Sequence, residues 1–87
     1  MMTTYRVGPR VQWSVGRVTV TLTDGSGRVR TLQYPEAAVW DLVSRAYPFA
    51  KVVSMTAHIA ALDEIAASAL VRAALEEWAE SGFLEKG

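Results

Sequence analysis

Leu32-Gln33-Tyr34-Pro35-Glu36-Ala37-Ala38-Val39-Trp40-Asp41-Leu42-Val43 decides the fold, because within it a strand pattern gives way to a helical one. Upstream of Pro35, β-branched and polar residues alternate, whereas downstream Val39, Trp40, Val43 and Tyr47 recur at the spacing i, i+1, i+4, i+8. The chain thus divides into a strand-forming first half and a helical second half, which is an α+β class.

Working back from this switch, Val11, Trp13 and Val15 alternate with Gln12 and Ser14. After a Gly16-Arg17 break, Val18, Val20 and Leu22 alternate with Thr19, Thr21 and Thr23. Both patterns predict half-buried strands. Asp24-Gly25-Ser26-Gly27 tolerates the positive φ angles of a hairpin loop, after which Arg28 to Tyr34 returns as a third strand. The result is a three-stranded antiparallel β-meander. Val29 and Leu32 fall on opposite parities of that third strand, which allows either a bulge or burial on both faces.

Working forward, Pro35 suits the first position of a helix and Pro48 cannot continue one, so a first helix is expected from Glu36 to Tyr47. Val52, Met55 or Thr56, Ile59 and Leu62 mark a second helix. A third, capped at either Asp63 or Ser68, carries Leu70, Val71, Ala74, Leu75 and Trp78. Ser81-Gly82-Phe83-Leu84 reads as a glycine C-cap followed by an apolar residue folding back on the last turn. With no internal repeat or linker, residues 1–87 form one domain, a meander followed by three helices that resembles a winged helix with the sheet placed first.

A chain of 87 residues buries only about 60–65% of the surface its unfolded form exposes, leaving room for a core but little for an enclosed active site. Hydrophobic residues at 51% and charged ones at 21% place it among globular proteins. The absence of cysteine excludes a disulfide framework, a thiolate-ligated zinc and a cysteine nucleophile together. No apolar run reaches signal-peptide length or the roughly 20 residues of a membrane span, so a cytoplasmic, membrane-free location is expected. Net charge is zero but uneven. Residues 1–35 hold five arginines against Asp24, and residues 36–87 hold four bases against eight acids, so a basic sheet of +4 stands beside helices of −4.

No motif specifies a reaction. His58 is the single histidine and has no neighbouring motif that would make a dyad or a metal site, so it reads as a surface or half-buried packing residue. Gly25-Ser26-Gly27 joins two strands, where a phosphate-binding loop would lead into a helix. Glu76, Glu77 and Glu80 fall opposite Leu75 and Trp78 and read as a solvated helix face. No catalytic residue, cofactor or metal is expected. The winged outline raises nucleic-acid binding, but the helices that would read a groove are acidic, with Lys51 alone on the second. Trp40 and Trp78 lie on apolar stripes and belong to the core.

What remains is the backbone. The third strand is expected at or near a sheet edge, and an unpaired edge beside a helix forms a groove in which an extended peptide can add as a strand. The plainer reading is an edge merely blunted by Arg28 and Arg30.

The run Leu32 to Leu42, a strand ending in leucine followed by paired alanines and an aliphatic-Trp-x-Leu helix, resembles the PqqD-like family of peptide-recognition elements in the biosynthesis of ribosomally synthesised, post-translationally modified peptides. Val71-Arg72-Ala73-Ala74-Leu75-Glu76-Glu77-Trp78-Ala79-Glu80-Ser81-Gly82-Phe83-Leu84 is similar to that family's last helix and its close. The chain departs from the pattern in two places. Gln33 stands where the family commonly has Asn, and Ala46-Tyr47-Pro48-Phe49 replaces an Asp-Gly turn.

The resemblance implies a non-catalytic binder that holds the leader segment of a precursor peptide and serves a modifying enzyme such as a radical SAM enzyme, protease or cyclase. By position, Arg28, Val29, Arg30, Thr31 and Leu32 would receive the leader strand, Arg72, Leu75 and Glu76 would line the far wall, and Arg30 and Arg72 would favour an acidic leader. A tethered substrate reaches an effective concentration of order millimolar, so such a binder accelerates chemistry it does not perform. The rivals are a small winged-helix regulator that binds nucleic acid and a homodimerisation module that pairs strand edges; the implied state is a monomer or weak homodimer.

Overall fold

The computed structural model describes residues 5–86. Its elements in chain order are β1 (Tyr5–Val7), β2 (Gln12–Val15), β3 (Thr19–Thr23), β4 (Val29–Gln33), α1 (Glu36–Ser44), α2 (Phe49–Ala60), α3 (Glu64–Glu80) and β5 (Leu84–Lys86). β2, β3 and β4 form the expected antiparallel meander, and β1 pairs separately with β5. That second pair, with Tyr5 opposite Lys86 and Val7 opposite Leu84, was not legible in the sequence. Each strand has only three residues, and the partners lie at opposite ends of the chain.

The β3–β4 register sets Val20 opposite Leu32 and Leu22 opposite Arg30. Val20, Leu22 and Leu32 are buried, so the inward positions of β4 are Leu32 and Arg30, while Val29 is 65% exposed. Strand parity is therefore kept without a bulge, and an arginine occupies the inner position that the apolar pattern assigned to a hydrophobe. Two further expectations are corrected. Val18 lies in the β2–β3 turn, and Val15 is 69% exposed because nothing among the described residues covers that end of β2.

Helix α1 ends at Ser44, earlier than expected. Ala46 takes φ +63, and the amides of Ala46 and Tyr47 turn back to the carbonyls of Val43 and Leu42. Pro48, extended at ψ 155, caps α2, which starts at Phe49 and stops before Leu62. Asp63 accepts a hydrogen bond from the Ala66 amide at 2.8 Å and so fixes the start of α3. At the other end Gly82, at φ +86, closes the helix; the Phe83 amide reaches Trp78 O and the ring is buried, as the sequence predicts.

The inner face of the meander packs on α1, and the core centres on Trp40. Its ring meets Trp78 edge to face at 5.3 Å and Trp13 at 5.7 Å. Trp40 and Trp78 are fully buried, whereas Trp13 is 39% exposed at the margin of the sheet.

Candidate functional site

β4 is the end strand of its sheet, and its outer edge has no partner among the described residues. Asp24 N donates to Arg28 O at 3.0 Å, so the main-chain groups of Arg28 point toward β3. Successive residues of an antiparallel strand point their N–H and C=O to opposite sides, so Arg30 and Leu32 also bond inward to β3. Val29, Thr31 and Gln33 direct theirs to the free edge. The other hairpin agrees: Gly16 N donates to Thr19 O at 2.8 Å, which turns Thr19 and Thr21 toward β2 and Val20 and Leu22 toward β4.

Beside this edge runs α3, held there by Arg30 of the strand and by Arg28 just before it. Arg30 is bound fork to fork, its two terminal nitrogens donating to the two carboxylate oxygens of Glu77. The pair is 40% and 44% exposed, so its energy is about 0–1 kcal/mol, but its geometry fixes the separation of strand and helix. Arg28 Nε donates to Asp24 Oδ2 at 2.7 Å and its Nη2 to the Ser81 carbonyl at 2.6 Å, with the guanidinium 5.9 Å from the Phe83 ring centre. The last turn of α3 has no basic residue of its own, so Arg28 supplies the cation that the carbonyl-rich helix end favours.

Asp24 organises this corner. Its carboxylate accepts from the Ser26 hydroxyl, the Arg28 guanidinium and the amides of both residues. The Ser26 hydroxyl first and Arg28 second hold its pKa well below the usual carboxylate range.

At the opposite end of β4 the Tyr34 hydroxyl donates to Ile59 O at the close of α2, at 2.6 Å. Between these two ties, the free edge of β4 and the α3 face carrying Glu77 bound a candidate groove; helical spacing sets Ala73 and Leu70, four and seven residues before Glu77, on that same face. The Arg30–Glu77 pair makes one end of this space polar, and Leu32, further along β4, is buried in the core.

The five strand residues singled out by sequence meet here: Val29 and Thr31 exposed, Arg28 and Arg30 tied to α3, Leu32 buried. The three helix residues do not face β4. Arg72 stacks over the Phe49 ring at 5.6 Å on the α2 side, Leu75 is in the core, and Glu76 lies with Ala79, Glu80 and Leu84 beside β5. Glu77, read as part of a solvated face, is instead the half-buried partner of Arg30. Sequence reasoning missed Glu77, Ser81 and Tyr34. The available signal was the inward parity of Arg30, since a half-buried guanidinium requires an acid within reach.

No protein-family model matches the chain, and no curated protein matches it in sequence. Among solved structures, the architecture matches that of "TbiB1 in Complex with the TbiA(beta) Leader Peptide", with a TM-score of 0.86 and 17% identity over 92% of this chain and 94% of that one. This chain therefore shares the fold of TbiB1, a protein solved in complex with a leader peptide.

Proposed function

We propose that this chain is a PqqD-like, non-catalytic binder of the leader segment of a ribosomal precursor peptide. The leader adds as a strand to β4, lies against α3, and brings its core segment to a cytoplasmic modifying enzyme. The observation that carries this reading is the free edge of β4. Val29, Thr31 and Gln33 offer three outward N–H groups and three outward C=O groups to a partner strand, beside a helix held at a fixed distance. The fold shared with a protein solved as a leader-peptide complex supports it. Main-chain bonds supply affinity, and every second peptide side chain enters the groove to supply selectivity.

The regulator reading is weakened: two of the five arginines of the basic half, Arg28 and Arg30, are paired with Asp24 and Glu77 and are not free for phosphates.

Thr31→Pro tests the strand-addition geometry. The Thr31 amide points away from β3, so proline there removes an edge donor without breaking a ladder bond. We expect the tagged wild-type protein to capture a short precursor peptide or a peptide-modifying enzyme from its native lysate, identified by mass spectrometry. The T31P variant, with an unchanged circular dichroism spectrum, should lose the peptide. Equal capture by a folded T31P would end the strand-addition model.

A further inference from the structure

Resting on that reading, we propose that Glu77 sets the charge the groove accepts: by saturating Arg30 it makes the groove refuse acidic side chains at the leader position that faces Arg30. A strand added to β4 continues its cross-strand rows, so alternate leader residues face inward. One extends the row Trp13, Leu22, Arg30, and another, two residues away, extends the row Val15, Val20, Leu32. The second continues an apolar row that ends on the buried Leu32. The first sits over the Arg30–Glu77 pair.

An unpaired guanidinium at that point would recruit an aspartate or glutamate from the peptide. Arg30 is not unpaired. Both of its terminal nitrogens already donate to the Glu77 carboxylate, so an incoming carboxylate finds the fork filled and a like charge beside it. The other cations expected to favour an acidic leader are equally committed or displaced. Arg28 is bound by Asp24 and the Ser81 carbonyl, and Arg72 lies over Phe49 on another face of α3. Selectivity here comes from a repulsive element built into the receptor, which discriminates without adding a contact to the accepted peptide. The leader class that fits is uncharged at both inward positions, with an apolar residue over Leu32 and a neutral residue over Arg30.

The test is selection of ten-residue peptides from a fully randomised display library on three proteins: wild type, Glu77→Gln, and the double variant Arg30→Gln/Glu77→Gln. Glutamine keeps the size and an acceptor of Glu77 while freeing the charge of Arg30. Circular dichroism confirms that each variant is folded. Peptides selected on E77Q should gain Asp or Glu at one position, by about two- to fivefold over wild type as expected for a partly exposed ion pair. The gain should vanish in the double variant. If all three proteins select peptides of the same acid content, Glu77 is not a filter and the proposal fails while the groove reading stands. If no protein selects any peptide, the groove reading fails and this proposal fails with it.

Discussion

Ala46 shows what single residues contribute here. It sits at φ +63, in the left-handed region where a Cβ costs about 1–2 kcal/mol, and it does so at the junction where the family pattern has an Asp-Gly turn. The turn was legible as a departure in composition, but the backbone requirement behind it was not. Here the turn is made with an alanine, and Pro48 then caps α2. Ala46→Gly should therefore raise stability by about 0.5–1 kcal/mol, read as a higher denaturant midpoint at unchanged slope. No change, or a loss, would mean that the extra freedom of the unfolded glycine chain offsets the relieved strain. Arg30 makes the complementary point. Its parity was visible in the alternation of the third strand, yet alternation was read for hydrophobes alone, so an inward arginine registered as a possible bulge rather than as half of a pair with Glu77.

Among the elements, the seam between the β3–β4 hairpin and the end of α3 depends on one carboxylate. Asp24 orders the loop through Ser26 and aims Arg28 at the Ser81 carbonyl, so the hairpin and the helix end are joined through it. Its pKa is lowered in the folded state, so folding favours the ionised form. That contribution is complete above the unfolded value of about 3.9 and is lost as pH falls through the folded value. Asp24→Asn should be less stable than wild type at pH 7, and the gap should shrink steadily below about pH 4. Denaturant midpoints of both proteins across pH 7 to 2 measure it, and a gap that stays constant with pH would show that the carboxylate does not act through its charge. The sequence identified the loop by its Asp-Gly-Ser-Gly composition. It did not reveal the reach to Ser81, because that contact spans 53 residues and no local period encodes it. The same holds for β1 and β5, whereas the meander and the three helices were legible because each has a period of its own. The alternation that makes β4 a strand was legible for the same reason, whereas the face that α3 turns to it was not: Glu77, not its neighbour Glu76, pairs with Arg30, and one residue on a helix is a rotation of about 100°.

Across the whole molecule, the free edge of β4 and the β1–β5 pair lie on different sheets. Tyr5 and Lys86 are register partners, so the described chain begins and finishes on neighbouring strands about 5 Å apart. Joining the ends with a short glycine-rich linker and opening the chain between Gly16 and Arg17, at an exposed hairpin tip, should give a permutant with the wild-type circular dichroism spectrum. It should keep its peptide affinity if the β4 edge is the binding surface, and a folded permutant that lost affinity would place the binding surface at the opened hairpin instead. The paired strands also bear on engineering. A unit whose first and last described strands lie side by side can be spliced into a loop of another protein without redesigning either partner.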